Sequence, residues 1–237
     1  QDLITLQQME RPMSVFDFVI PVGASDTKGQ IPGWAGYRRT GKRIFDYVFA
    51  IALLPLIAPV IAVLSLAIAR DGGNPFFGHR RIGRDGKVFR CWKLRTMVVD
   101  AEARLQAHLR DNPEAAAEWK KCHKLTNDPR VTRLGCFLRR TSLDELPQIW
   151  NVLRNEMSFV GPRPVVRSEL HRYGPHRVTY KSMMPGITGL WQVSGRNDIS
   201  YAERVELDLA YSNSMSFLTD AMLIARTGLS VIARTGK

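Results

Sequence analysis

The sequence predicts a helix-rich, mixed α/β protein held to one side of a membrane by a proline-kinked, re-entrant helix. Three observations predict it. Residues Tyr47 to Ala69 carry no charge, Pro55 and Pro59 sit in the middle of that run, and Lys/Arg clusters flank both of its ends. The chain divides accordingly into a lead-in (1–40), a membrane helix (41–70) and a globular domain (71–237) with amphipathic helices at its surface.

Residues 1–40 mix proline, glycine and polar side chains and read as irregular. Glu10, Arg11 and Asp17 interrupt any apolar core, so no secretory signal is legible there. The apolar run is long enough for a bilayer core, which takes roughly 20 helical residues. It lies between Arg38, Arg39, Lys42 and Arg43 on one side and Arg70, Arg80 and Arg81 on the other. Lys/Arg excess marks the cytoplasmic flank, so a through-going helix would put one basic cluster on the wrong side. Each proline removes a backbone donor and crowds the preceding turn, which predicts a sharp bend. A helix that enters and leaves by the same face satisfies both observations and is preferred to a span.

Beyond the apolar run a strand is expected over 87–97 and helices over 98–110, 113–121, 132–140 and 143–154. Residues 157–160 read as extended, 165–173 as helix, 187–193 as extended and 201–211 as helix. The tail, 217–232, suits a helix lying on the membrane surface or one facing the core, and composition leaves both open. The cysteines (Cys91, Cys122, Cys136) are odd in number and form no C-x-x-C pair, against a disulfide framework or zinc site and for a reducing compartment. Lys and Arg number 34 against 22 Asp and Glu, a net +12 that favours nucleic acid, an anionic bilayer or phosphate-bearing substrates as partners.

The stretch Arg139-Arg140-Thr141-Ser142-Leu143-Asp144-Glu145 is the most informative. Ser142 and Glu145 have capping-box spacing, which would start a helix at Leu143 and place Asp144 in its first turn, a natural anion site. Cations nearby would lower the pKa of Asp144 and keep it ionised for attack on phosphorus. Neighbouring carboxylates on a helix point about 100° apart, following from about 3.6 residues per turn, so a division of labour is expected. Asp144 serves as nucleophile, and Glu145 orients it or holds a divalent ion, with magnesium suited to the oxygen ligands Asp144 and Glu145. Lys93, Arg95, Arg163, Arg196, Asp208 and Tyr211 complete the candidate set. Arg163 stands between Pro162 and Pro164, a stiff backbone that suits a fixed anion contact or equally a structural turn.

Several ordered motifs then carry a resemblance. Lys42-Arg43-Ile44-Phe45-Asp46, the proline-bearing helix, Lys93-Leu94-Arg95-Thr96-Met97 and Thr141 through Gln148 resemble the bacterial sugar transferase family, the monotopic polyprenyl-phosphate hexose-1-phosphate transferases. So do Met157 through Pro164 and Pro185 through Arg196. The likeness runs from about Gly41 to the C-terminus. It implies transfer of hexose-1-phosphate from a UDP-hexose, galactose or glucose, to undecaprenyl phosphate with release of UMP. It implies a phosphosugar ester on Asp144, Glu145 tied to Mg²⁺, and Lys93, Arg139, Arg163 and Arg196 around the phosphates. It also implies an acidic site position at Asp208, a re-entrant anchor on the cytoplasmic face of the bacterial inner membrane, and a homodimer as one oligomeric possibility. Two departures stand out: Ala58-Pro59 replaces the Ser-Pro of some relatives, and nothing apolar precedes Tyr47 to build the N-terminal helix bundle of larger ones.

Two rivals remain at this point. Asp144 would act as a base in a single direct displacement, or the chain would be a non-catalytic, membrane-tethered binder of nucleotide sugars. Nucleic acid is disfavoured, since the arginines are scattered among Gly/Pro loops without a basic-aromatic motif.

Overall fold

Helix α1 (Lys42–Ala69) runs on through Pro55 and Pro59 in the computed structural model, which describes residues 36–194 and 199–232. The helix continues past both prolines although each removes one N–H donor from its ladder, so the carbonyls of Ile51 and Pro55 lose their usual helical partners. Both prolines lie on the exposed side of α1. A π-helical turn, Tyr37–Gly41, leads into α1, so helix replaces the irregular backbone expected up to residue 40. The rest of the lead-in, 1–35, lies outside the described residues.

The stretch Tyr37–Ala69 is long and apolar enough to cross a membrane, and only 11% of its most apolar window is buried by the rest of the protein. A core helix of a water-soluble fold would be covered on its apolar side. Here Ile44, Val48, Ile51, Leu56, Val63 and Leu66 stand exposed, while Ala50, Ile61 and Ile68 turn inward. Both ends of α1 stay docked on the same domain. Near its start the Lys42 ammonium lies 2.6 Å from Asp220, and near its end Arg95 donates to the Ile68 carbonyl at 3.2 Å.

The first half of the domain is a hairpin, β1 (Phe76–Ile82) against β2 (Val88–Leu94), antiparallel from Phe76↔Leu94 to Ile82↔Val88. Asp85 takes a left-handed φ of 58° at the turn. Helices α2 (Ala101–Asp111), α3 (Pro113–Cys122) and α4 (Arg133–Thr141) follow, then α5 (Gln148–Leu153). Strand β3 (Ser158–Val160) pairs in parallel with β4 (Gly186–Thr188). Between them lie α6 (Arg167–Leu170), a 3₁₀ segment (His171–His176) and α7 (Arg177–Ser182). The helix expected over 165–173 is a turn of α-helix that tightens to 3₁₀ from His171, and Gly174, at a φ of 52°, and Pro175 separate it from α7. Helices α8 (Leu190–Ser194), α9 (Tyr201–Ser214) and α10 (Phe217–Ile232) complete the order. The extended run expected over 187–193 is overturned at its second half, where Leu190 and Trp191 bury as one side of a short helix.

Gly186 allows β3 and β4 to meet, since a Cβ there would collide with the Gly161 backbone nitrogen. The core gathers Ile149, Val152, Met157, Val160, Tyr211 and Leu223, with Phe49, Leu53 and Ile57 of α1 packed against it. The core-facing reading of the tail holds for Asp220 and Leu223, which are fully buried, while Phe217, Leu218 and Leu229 are exposed. Cys91 and Cys136 are free thiols.

A buried polar lock holds α1 in place. Lys42 donates to Asp220 and to the Tyr211 hydroxyl (2.9 Å), and Tyr211 in turn donates to Asp220 at 2.7 Å. One turn further along α1, Asp46 accepts from Ser158 Oγ at 3.0 Å and from the Phe159 N–H at 3.1 Å. Removing one partner of a buried pair strands the other charge, at a cost of about 3–5 kcal/mol. Asp220→Ala is thus expected to lower the melting temperature sharply. The apolar double replacement Lys42→Met/Asp220→Leu should recover most of the loss in thermal unfolding of the detergent-solubilised protein.

Candidate active site

The Asp144–Glu145 dyad sits on a single 3₁₀ turn (Leu143–Glu145), not at the head of a longer helix. The capping-box expectation fails for a geometric reason. Ser142 adopts a left-handed φ of 56° and ends α4, its N–H turned back to the Leu138 and Arg139 carbonyls, and its side chain makes no cap. Helix α5 starts only at Gln148. Glu145, released from capping, turns to Lys93.

Lys93 projects from β2 and reaches both carboxylates: its ammonium is 2.6 Å from Glu145 Oε1 and 3.6 Å from Asp144 Oδ2. Arg139 stands on the last turn of α4 and donates from Nε to Thr96 Oγ1 at 2.9 Å. The close approach of α4 to Thr96 requires Gly135, where a Cβ would strike the Thr96 carbonyl.

Two cavities meet at the dyad. One, of about 420 Å³, is walled by His79, Arg81, Lys93, Glu145, Arg163 and Trp191 and extends to Ile57 of α1. The other, of about 800 Å³, holds Asp144 and Arg139 between apolar side chains that include Phe76, Phe77 and Val99. Lys93, Ser142 and Glu145 line both. The dyad is therefore reachable from two sides.

Burial pushes the pKa of Asp144 above the usual carboxylate range; Lys93 and Arg139 oppose that shift and Glu145 adds to it. The lowering expected from neighbouring cations is thus overturned, because desolvation outweighs them. Burial alone would lower Lys93, but Glu145 and Asp144 hold it above its ordinary value, so it stays cationic. Burial raises the Cys91 thiol to about 11, which makes it a poor rival nucleophile in the same wall. Burial, helped by Arg81, lowers His79 below its ordinary value and favours the neutral imidazole.

Arg95 lines the cavity that holds Asp144, and its guanidinium also binds Asp71 (2.9 Å), the Asn74 carbonyl and the Ile68 carbonyl, which clamps the end of α1. Other expected site residues lie elsewhere. Asp208 is buried against the Tyr173 hydroxyl at 2.7 Å, and its burial raises its pKa to about 7. Tyr211 belongs to the Lys42–Asp220 lock. Neither Asp208 nor Tyr211 lines either cavity at the dyad. Arg196 lies outside the described residues. Arg163 does reach the site, its guanidinium 5.5 Å from the Trp191 ring centroid.

His79, Arg81 and Trp191 were not anticipated. The signal for the first two was the register of β1 on β2, in which His79 pairs with Cys91 and Arg81 with Phe89. The period of two then puts both on the Lys93 face of the hairpin. Phe-Phe-Gly-His-Arg-Arg-Ile lacks apolar alternation, so no strand is legible there from the sequence.

A family model described as bacterial sugar transferase matches residues 37–234. The chain belongs to the bacterial sugar transferase family. It is 50% identical over 195 residues to a UDP-galactose-lipid carrier transferase of Erwinia amylovora, covering 82% of this chain and 41% of that protein. It is 47% identical over 195 residues to the undecaprenyl-phosphate galactose phosphotransferase of Salmonella typhimurium, with the same coverage of 82% and 41%. It is 48% identical over 187 residues to the exopolysaccharide production protein ExoY of Rhizobium meliloti, covering 78% of this chain and 83% of that one. The chain thus spans about two fifths of the first two relatives (41%) and most of the third (83%). In this bacterial sugar transferase the motif from Thr141 to Gln148 contributes Ser142 and Glu145 to the wall shared by both cavities.

The opposing influences on Asp144 give a signed prediction. Lys93→Met removes the cation that lowers its pKa and should move its titration midpoint up. Glu145→Gln removes the charge that raises it and should move the midpoint down. Carboxylate ¹³C NMR of labelled protein in detergent reads both shifts, and equal movement in one direction would contradict the assignment.

Proposed function

We propose that this chain transfers hexose-1-phosphate from a UDP-hexose to undecaprenyl phosphate and releases UMP. The reaction serves as the first membrane step of exopolysaccharide synthesis, at the cytoplasmic face of the bacterial inner membrane. The observation that carries this reading is the convergence of two cavities on one carboxylate pair. One of them reaches the apolar helix α1. Galactose is the first sugar to try, since two relatives bear galactose in their names.

In the proposed sequence an Asp144 oxygen attacks the sugar-bearing phosphorus. The bond from that phosphorus to the bridging oxygen breaks, UMP departs, and a phosphosugar ester remains on Asp144. A polyprenyl phosphate oxygen then attacks the same phosphorus, displaces the carboxylate and forms the lipid diphosphohexose. Such transfers depend on positioning and charge neutralisation more than on covalent invention. Lys93, Arg81, Arg163 and Arg139 supply the positive charge around the phosphates.

The donor set suits magnesium. Two adjacent carboxylates are present, and Lys93 occupies only Glu145 Oε1 at hydrogen-bond distance. A carboxylate pair is what an ion needs that takes one or two carboxylates and completes its shell from phosphate and water. Asp144 and Glu145 would hold it, and when bound it would neutralise charge on the leaving phosphate.

One-sided membrane attachment is supported by the docking of both ends of α1 on one domain, by Lys42 and Asp220 at the start and Arg95 and Ile68 at the end. On this reading α1 bends at its prolines and dips into one leaflet, leaving the dyad in water near the headgroups.

Purified protein with Mg²⁺ and undecaprenyl phosphate should release UMP from UDP-galactose or UDP-glucose. Asp144→Asn should reduce that rate by at least about 10³-fold, the scale of losing a nucleophile. Unchanged turnover in Asp144→Asn, or no turnover with any UDP-hexose, would overturn the proposal.

A further inference from the structure

A third cavity, of about 220 Å³, lies at the start of α1 and shares no wall residue with the two at the dyad. Arg38, Arg39 and Arg43 enter it from the first turns of the helix, and Arg84 enters from the β1–β2 turn. Asp46 is the one acidic group in its wall, and its Oδ1 already accepts from Ser158 and Phe159. Lys42 also borders the cavity, but Asp220 matches its charge. The nearest acid to Arg84 is Asp85, at 3.8 Å on the surface.

Two of the arginines are held in place by the fold. Arg38 donates to the Ser212 carbonyl. Arg43 donates from Nη2 to the Val152 carbonyl at 2.8 Å and lies over the Tyr47 ring at 3.6 Å. Its Nε and Nη1 are buried and have no hydrogen-bond partner among the described residues. Buried donors are nearly always satisfied, and clustered guanidinium groups recognise phosphate through paired N–H donors. Met183 and Met215, both buried, give the cavity an apolar wall. One turn beyond, Ile44 and Val48 begin the exposed apolar face of α1, so the cavity sits where that face would enter the headgroups.

We infer that this cavity binds the phosphate of an anionic phospholipid headgroup, separately from the reaction site, and fixes the depth and rotation of α1. The inference rests on the membrane placement of α1 proposed above. Arg39 and Arg84 are exposed and hold no backbone carbonyl among the hydrogen bonds described, so they are the positions to change.

The full chain in mild detergent, offered equal phosphatidylglycerol and phosphatidylcholine, should retain phosphatidylglycerol in native mass spectra by about tenfold. Arg39→Gln/Arg84→Gln should abolish that preference while leaving the melting temperature and UMP release in detergent unchanged. Glycerol phosphate at the same concentration should not compete; effective competition would overturn the lipid source in favour of a soluble phosphate. Retention of the preference in the double variant would overturn the site. Co-sedimentation with phosphatidylcholine vesicles keeps the two readings apart. Sedimentation without headgroup preference rejects this cavity alone, whereas no sedimentation with any vesicle rejects the membrane placement on which it rests.

Discussion

One constraint governs this molecule: an apolar helix of 28 residues must keep its outer face from water while its inner face carries a strongly basic domain. The Lys42–Asp220 pair and the Asp46 contacts to Ser158 and Phe159 meet that demand. They fix the start of α1 to β3 and α10, and Arg95 fixes its end through Ile68 and Asp71. A buried ion pair is weak evidence for stability, since desolvation offsets much of the attraction. What it supplies here is register. Sliding α1 by one residue would rotate Lys42 and Asp46 away from their partners and turn apolar side chains toward the polar network.

The same arrangement sets the chemistry. Ile57 of α1 borders the cavity that holds Lys93 and Glu145, so the apolar helix and one carboxylate of the dyad share a wall. Asp144 is buried and its pKa is raised. A buried carboxylate is less well solvated and so easier to bring against phosphorus, but it ionises less readily. Lys93 limits that loss by standing near both carboxylates.

Much of this was legible before the fold was known. The charge-free run and its basic flanks marked α1, and the motif from Thr141 to Gln148 marked the dyad, because composition and word order survive without three-dimensional context. What was illegible depended on tertiary partners. Ser142 had capping-box spacing, but it ends α4 with a left-handed φ of 56° and its side chain caps nothing. Asp208 and Tyr211 looked like site residues by their chemistry, and burial diverted both into structural contacts, whereas Arg95 lines the Asp144 cavity and binds Asp71 as well. His79 and Arg81 required the pairing of β1 with β2, which no local pattern in Phe-Phe-Gly-His-Arg-Arg-Ile announces.

The central claim is that Asp144 carries the sugar phosphate between the two substrates. Intact-protein mass, after mixing the enzyme with UDP-hexose and Mg²⁺ in the absence of lipid phosphate, tests it most directly. The account predicts a gain equal to one hexose phosphate that is absent in Asp144→Asn and disappears when undecaprenyl phosphate is added. A protein that releases UMP with lipid phosphate present yet never shows that gain would contradict it and recast Asp144 as a base in a single displacement.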